Sequence, residues 1–171
     1  PALPLTVGVT GPDARTHRIF RKLLSRAMAS PSPELFRYGD PRGGLALRQA
    51  IAAYLGAARG VRCQPRQVIV TSGAQQGLDL ILRAAIRPGE PVWVENPCYP
   101  MAAAALKGFG ARLTGVRVDG EGLDVEDGAR RAPSARAVYV TPSHQFPLGV
   151  AMTMRRCLQL LDWARRNQVW I

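Results

Sequence analysis

The sequence predicts an α/β domain whose mainly parallel sheet is joined by crossover helices. Two observations support this prediction. From Gln67 onward, short apolar runs rich in β-branched residues alternate with segments of helical periodicity. Strands that alternate with helices are joined by crossovers, which place the strands parallel. The hydrophobic fraction of 47% over 171 residues is enough for a packed core.

Two helices are predicted before the alternation begins. The first covers residues 15–29, with an apolar face opposite a basic one, and we expect Pro31 and Pro33 to end it. The second covers about residues 45–59, and Gly60 is expected to stop it. Its side chains expected to face inward are Leu47, Ile51, Tyr54 and Leu55.

Five strands and four further helices are predicted after residue 66. The strands are QVIVT, PVWVE, ARLTGVRVD, ARAVYVT and the closing VWI. The helices cover residues 74–86, 101–107, 125–131 and 154–167. QVIVT is an uninterrupted apolar run, as expected for a strand that is buried on both faces. Domain boundaries normally fall in polar linkers, so an apolar last strand predicts that the domain is truncated here.

The charge of the chain raises the alternative of a stand-alone basic nucleic-acid-binding domain. The formal net charge is +11, and 21 of the 23 basic residues are arginines, because Lys22 and Lys107 are the only lysines. A basic surface attracts nucleic acid. The arginines are scattered, however, and aromatic residues make up only 6%, which provides few stacking platforms for bases. We therefore favour a solvated basic surface.

Cysteine usage and hydropathy indicate a reduced, cytoplasmic setting. Cys63, Cys98 and Cys157 are odd in number and widely spaced, which fits neither a disulfide framework nor a zinc site. His17 and His144 are the only histidines, so no metal cluster is expected. No apolar run approaches the ~20 residues of a membrane span, and no signal peptide is recognised.

The first candidate site is TSGAQ, residues 71–75, between a predicted strand and a predicted helix. Unpaired N–H groups at a helix N-terminus attract anions, and Gly73 lets a phosphate approach the backbone closely. Gln75 adds a side-chain amide. The alternative is an ordinary strand–helix turn with Ser72 as the N-cap. The segment matches neither a Walker loop nor G-x-G-x-x-G.

Two further loops follow strands that end at the same predicted edge, where open α/β sheets bind ligands. ENPCYP carries Tyr99, which is placed to lay its ring on a flat ligand or, alternatively, to pack the loop. Cys98 is expected to be a partly buried thiol, because no histidine lies nearby to activate it. TPSHQFPLG carries His144, which we expect to be a loop histidine held by backbone hydrogen bonds.

Four segments together resemble one known family. They are YGDPRGGLALRQAIAAYLGAARGVRC, QVIVTSGAQQGLDL, VENPCYP and TPSHQFPLG, and they are similar to the aminotransferase-like domain of MocR/GabR-type transcriptional regulators. Those proteins join a winged-helix DNA-binding head to a domain of fold type I, the aspartate aminotransferase fold, which binds pyridoxal 5'-phosphate (PLP). The resemblance implies the N-terminal part of such a large domain over residues 36–171, with a linker and helix over residues 1–35.

The resemblance also implies roles for individual residues. Tyr99 matches the aromatic residue that stacks on the pyridine ring of PLP. Tyr38 matches a tyrosine that reaches the phosphate of the neighbouring subunit, which implies a homodimer. Phe146 stands where standard aminotransferases carry an Asn that binds the phenolic oxygen, and Phe cannot make that hydrogen bond. Ordinary transaminase efficiency is therefore in doubt. The residues that match the phosphate cradle are Gly73, Ala74 and Gln75.

No catalytic residue is assigned within this chain. In the family, the aspartate that pairs with the pyridine nitrogen follows the strand that VWI begins, and the Schiff-base lysine comes later. Neither Lys22 nor Lys107 has the matching context. The favoured function is part of an effector domain that senses PLP, an amino acid or an amine and acts on DNA through a head outside this chain. The alternative is part of a class I/II aminotransferase.

Overall fold

The computed structural model describes residues 11, 13–29 and 37–171. The chain divides into two compact units, Pro1–Val70 and Thr71–Ile171. The division into residues 1–35 and 36–171 stays a prediction. Within the described ranges, none of the helices combines the length and the apolar character that crossing a bilayer requires.

Helix α1 of the first unit spans Ala14–Ala29, close to its predicted bounds, and buries none of its side chains. Its apolar residues are accessible, with Phe20 exposed to 71% and Leu24 to 66%. The amphipathic pattern is therefore present without a covering partner among the described residues. The predicted end at Pro31 and Pro33 lies outside those residues.

Helix α2 spans Leu45–Arg59 and ends as predicted, because Gly60 takes a left-handed conformation with φ 66° and ψ 13°. The predicted inward face is wrong for Leu47 and Tyr54, which are 51% and 62% exposed. The side chain of Arg48 is buried instead. Periodicity locates apolar faces, but a guanidinium whose hydrogen bonds are satisfied can also occupy an interior position.

The predicted strand QVIVT is wrong. Pro65–Gln67 forms a 3-10 helix, and residues 68–71 are not assigned to any strand. The N–H of Val70 donates to the carbonyl of Arg42 at 2.8 Å, and Ile69 is 58% exposed rather than buried. β-branched residues favour extended backbone, but a strand also needs a neighbouring ladder, and the described sheet offers none to this segment.

The second unit is built on a four-stranded sheet with the order β3-β2-β1-β4. The strands are β1 Pro91–Asn96, β2 Arg112–Asp119, β3 Gly122–Leu123 and β4 Ala137–Tyr139. Strand β1 pairs in parallel with both β2 and β4, and β2 pairs antiparallel with β3. The predicted α/β class with a mostly parallel sheet is confirmed. The sequence does not predict the short hairpin strand β3.

Four helices cover the two faces of this sheet. They are α3 Ala74–Ala85, α4 Pro100–Phe109, α5 Val125–Arg131 and α6 Met154–Asn167. Val92 and Val94 of β1 pack with apolar residues of α3 and α4. Trp93, which lies between them, packs with residues of α5 and α6 on the other face. Side chains on a strand alternate between faces, so one central strand supports both cores.

Trp93 organises the core beneath α5 and α6. Its indole N–H donates to the carbonyl of Ala132 at 2.9 Å, and its ring stacks on Trp163 with 3.9 Å between the ring centroids. Gly128 of α5 lies against the same ring, where a Cβ would stand 2.5 Å from it. A glycine at this position therefore lets the helix approach the tryptophan closely.

The closing residues VWI, predicted to begin a further strand, form an isolated bridge and not an assigned strand. They make one parallel bridge beside β4, between Ala137 and Trp170. The N–H of Val138 donates to the carbonyl of Trp170 at 2.8 Å, and the N–H of Trp170 donates to the carbonyl of Arg136 at 3.1 Å. The chain at Trp170 therefore runs parallel to β4 at the edge of the sheet.

Candidate functional site

The turn that opens helix α3 is shaped by the backbone of Gly73. This residue is the N-cap, with φ 156° and ψ 176°, a region that is essentially restricted to glycine. No other group lies within 4 Å of the position that its Cβ would take, so packing does not explain the glycine. Gly73, Ala74 and Gln75 are all exposed. The predicted cradle is thus an open turn whose shape depends on one conformation.

Ser72 does not cap the helix, so the alternative of a Ser72 N-cap is wrong. Both its backbone N–H and its hydroxyl donate to Oε1 of Gln76, at 2.6 and 2.8 Å. The N-cap position of α3 makes no side-chain hydrogen bond. The first N–H groups of a helix need partners from outside its own ladder, and they carry the positive end of the helix dipole. This helix start is therefore suited to an anion.

The turn at Gly73 lies toward the carboxyl edge of the sheet. Helix α3 ends at Ala85, and strand β1 begins at Pro91, so the helix runs back along the strand that follows it. The twelve residues of α3 cover about 18 Å and the six residues of β1 about 20 Å. The start of α3 is therefore expected at about the level of the carboxyl end of β1. Helix α4 starts just after β1 and packs against α3.

The structure brings Tyr99 and Phe146 together. Tyr99 is the half-buried N-cap of α4, and Phe146 lies in the loop after β4. Their rings meet edge to face, with 5.5 Å between centroids and 79° between planes. Strands β1 and β4 are parallel neighbours, so both loops leave the same edge, as predicted. The loops contain cis peptide bonds at Asn96–Pro97 and Phe146–Pro147.

A buried carboxylate connects these two loops, and our sequence reasoning missed it. Glu95, the fifth residue of β1, is only 2% exposed. Its Oε1 accepts the N–H of Thr141 at 3.1 Å, and its Oε2 accepts the hydroxyl of Thr141 at 2.6 Å. A charged residue closing the otherwise apolar run PVWVE was the available signal, because a buried charge needs partners.

Gln145 completes the connection. This side chain is also 2% exposed, and its amide nitrogen donates to the carbonyls of Pro97 and Phe146, each at 2.7 Å. The same nitrogen lies 3.3 Å from Oε2 of Glu95, and the amide oxygen accepts the N–H of Leu148 at 3.0 Å. One amide thus joins the backbones of both aromatic loops.

The surroundings of Glu95 disfavour other negative charges. Burial, together with the charge of Glu95, raises the pKa of the Cys98 thiol, and the same causes raise the pKa of Tyr139. Cys98 is partly buried, and its Sγ lies 3.6 Å from the carbonyl of Tyr99. These properties agree with the expected inert thiol. His144 is exposed, and its expected backbone hydrogen bonds are not among the contacts of the described residues.

Tyr38 belongs to the first unit, where its side chain is fully exposed. The loop that follows it is held by Arg48, which is 4% exposed and which the sequence did not reveal as a core residue. Its guanidinium donates to the carbonyls of Gly43 and Pro65 and to the carboxylate of Asp40, at 2.9, 3.1 and 2.8 Å. Hydrogen bonds from Arg42 are the main cause that lowers the pKa of Asp40 to about 2.

About half of the arginines are engaged by carboxylates, which bears on the nucleic-acid alternative. In the described part of the chain, eleven of them form ion pairs with carboxylates, such as Arg117 with Asp124 and Arg156 with Asp119. A phosphate-binding stripe requires basic side chains that are free to neutralise phosphates. The paired arginines are therefore not free to bind phosphate, whereas the net charge of +11 is carried mainly by the other basic residues.

This fold is that of the fold-type-I transferases. The chain matches the family described as aminotransferase class I and II over residues 4–171, and it belongs to that family. It is similar to the solved structure of Pyrococcus horikoshii kynurenine aminotransferase in complex with PMP, with 30% identity and a TM-score of 0.80, over 91% of this chain and 40% of that one.

Two curated relatives are regulators. The chain is 41% identical to the probable rhizopine catabolism regulatory protein MocR of Rhizobium meliloti, over 88% of this chain and 30% of that protein. It is 35% identical to the pyridoxine biosynthesis transcriptional regulator PdxR of Corynebacterium glutamicum, over 98% of this chain and 35% of that protein. The chain thus spans about a third of these relatives, and the resemblance drawn from its motifs is confirmed.

Proposed function

We propose that this chain forms part of a PLP-binding effector domain of a MocR-type transcriptional regulator. One observation carries the proposal. A helix without a side-chain cap begins at a turn that only glycine adopts readily, and the order of the elements directs this turn to the carboxyl edge of the sheet, which the aromatic pair also occupies. An anionic group and a flat ring at this edge would meet complementary partners.

The residues present fit PLP. The backbone at Gly73, Ala74 and Gln75 would hold the phosphate, because these groups are exposed at the start of α3. Tyr99 would lie against the pyridine ring, and Phe146 supports Tyr99 from its edge. When bound, PLP supplies an electron sink for amine chemistry. Phe146 has no hydrogen-bonding side chain, so this chain gives the phenolic oxygen no partner at that position.

The two lysines of the chain do not fit the role of a covalent anchor. Lys22 lies in α1 of the first unit. Lys107 lies in the last turn of α4, about 12 Å along the helix from Tyr99. We infer that the anchoring lysine, the aspartate for the pyridine nitrogen and the DNA-binding head belong to other parts of the full-length protein. On this proposal no residue of this chain is catalytic.

Assembly and effector follow from the same proposal. The fully exposed side chain of Tyr38 is available to reach the phosphate site of a second subunit, which supports a homodimer. The effector would be PLP itself, an amino acid or an amine, because these molecules react with or replace one another at such a site. A regulator that acts on DNA in this way would work in the cytoplasm.

The second candidate is a class I/II aminotransferase that moves an amino group between an amino acid and a 2-oxo acid. The 30% identity to a kynurenine aminotransferase supports it. Phe146 favours the first candidate, since the family's transaminases carry an Asn at that position. If the full-length protein transaminated amino acids at ordinary rates and bound no operator DNA, this second candidate would replace the first.

The test of the site is PLP titration of the full-length protein with a substitution in the turn. Gly73→Asp places a carboxylate against the phosphate and forces an unfavourable backbone, so we expect PLP affinity to fall by about a hundredfold or more. Gly120→Asp is the matched control, because Gly120 is exposed with open space around it. Unchanged affinity in Gly73→Asp, with the fold intact by circular dichroism, would place the phosphate elsewhere.

A further inference from the structure

We propose that Glu95 and Gln145 are a positioning pair that sets the orientation of the Tyr99 and Phe146 rings at the cofactor site. The inference rests on the proposed function, because it assigns the two rings to PLP. The hydrogen bonds of the two side chains go to the loops and not to the rings. Both act through the loops that carry the aromatic residues, and both lie in the interior.

Glu95 provides the fixed point of the arrangement. It lies in β1, which is hydrogen-bonded on one side to β2 and on the other to β4. Both of its carboxylate oxygens are used by Thr141, 46 positions later in the chain. The hydroxyl of Thr141 in turn lies 3.4 Å from the N–H of Phe146, which it accepts. Through these hydrogen bonds, strand β1 fixes the position of Thr141, at the start of the loop that carries Phe146.

Gln145 transmits this control to both rings. Its amide nitrogen has two N–H groups, and they reach the carbonyls of Pro97 and Phe146 at 2.7 Å. Pro97 precedes Tyr99 by two residues, and Phe146 is the next residue after Gln145. The amide therefore fixes the backbone on each side of the ring pair, which explains how two distant loops hold their rings at 79°.

The chemistry of the pair is directional. Gln145 faces three acceptors on its nitrogen side, namely two carbonyls and the carboxylate of Glu95. Only an amide offers donors there while its oxygen accepts the N–H of Leu148. A carboxylate of the same shape would oppose all three acceptors in a buried setting, where unpaired polar contacts are most costly. Position 145 therefore requires the hydrogen-bonding groups of an amide as well as its size.

The experiment uses the full-length protein with 4-fluorophenylalanine at position 146 and two readouts. One readout is the 19F resonance of that ring without PLP, and the other is PLP affinity by titration. Gln145→Glu is the isosteric test. Gln49→Glu is its control, because Gln49 is exposed on α2. We expect Gln145→Glu to shift and broaden the resonance and to weaken PLP binding about tenfold or more, and Gln49→Glu to change neither.

A milder pair of variants covers the case in which Gln145→Glu does not fold. Thr141→Ser retains the hydroxyl that Glu95 accepts, whereas Thr141→Val removes it at nearly constant volume. We expect the resonance and the PLP affinity of Thr141→Ser to stay close to those of the unsubstituted protein, and both to change in Thr141→Val. Equal behaviour of the two variants would overturn the proposal.

The remaining outcomes separate this inference from the proposed function. A folded Gln145→Glu variant with an unaltered resonance, or with an altered resonance and normal PLP affinity, overturns only the positioning pair. Failure of the unsubstituted protein to bind PLP overturns the proposed function, and the role of the pair toward PLP fails with it.

Discussion

The glycine turn at residue 73 and the aromatic loops at Tyr99 and Phe146 reach the same edge of the sheet by different means. The turn is exposed and local, and its shape depends on one backbone conformation and the start of one helix. The rings are placed by buried side chains, Glu95 and Gln145, that lie 50 positions apart in the chain. The first half of the site is built from backbone and the second from a polar network.

This difference determines which substitutions disrupt each half of the site. The turn depends chiefly on the backbone of Gly73. Its side-chain hydrogen bonds run from Thr71 to the carbonyl of Gly73 and from Ser72 to Gln76. These bonds are exposed, so we expect neighbouring substitutions to cost less. A buried network fails when any member loses its partner, because the remaining groups are left unsatisfied in the interior. We therefore expect substitutions in the network to cost more folding stability than substitutions in the turn, although both reduce ligand binding.

The largest effect is expected from Glu95→Leu. The substitution leaves the N–H and hydroxyl of Thr141 without their acceptor, and it removes one of the three acceptors around the amide nitrogen of Gln145. We expect it to lower the free energy of unfolding by about 3 kcal/mol in denaturant titrations of the full-length protein. Glu126→Leu, at an exposed helix position, should change it by about 0.5 kcal/mol or less. Equal losses in the two variants would mean that the buried network contributes no more to stability than an exposed position.

A smaller effect is expected from Gly73→Ala. No atom obstructs the new methyl group, so the cost is backbone strain alone, about 1–3 kcal/mol of unfolding free energy. Gly108→Ala provides the matched control, because Gly108 lies within α4 with open space around it. There alanine should stabilise the helix by about 0.5–1 kcal/mol. Thermal melts that move in the same direction for both variants would contradict a special conformation at Gly73.

The smallest effect concerns the thiol of Cys98. Burial and the charge of Glu95 raise its pKa, so less thiolate is present at a given pH than for an ordinary cysteine. Glu95→Gln removes the charge, and we expect the pKa to fall and alkylation by iodoacetamide to accelerate at mildly alkaline pH.

Glu90→Gln is the control for that measurement, because Glu90 precedes β1 at the opposite end of the strand. Its pH–rate profile for Cys98 should match that of the unsubstituted protein. A profile for Glu95→Gln that also matched would mean that the carboxylate of Glu95 does not act on the site as a charge.

The sequence by itself determined the features of this protein that depend on residues close together in the chain. The bounds of α2 and α6, the class of the sheet and the glycine turn before α3 all follow from periodicity and from glycine conformation. Only the tertiary structure decided the rest. QVIVT has strand propensity without a described neighbour, Arg48 is buried by partners that include the carbonyl of Pro65, 17 positions away, and Glu95 of β1 meets Gln145 in the loop after β4. The physical reason is that strand pairing and the burial of a charge need partners far away in the chain, which local pattern does not specify.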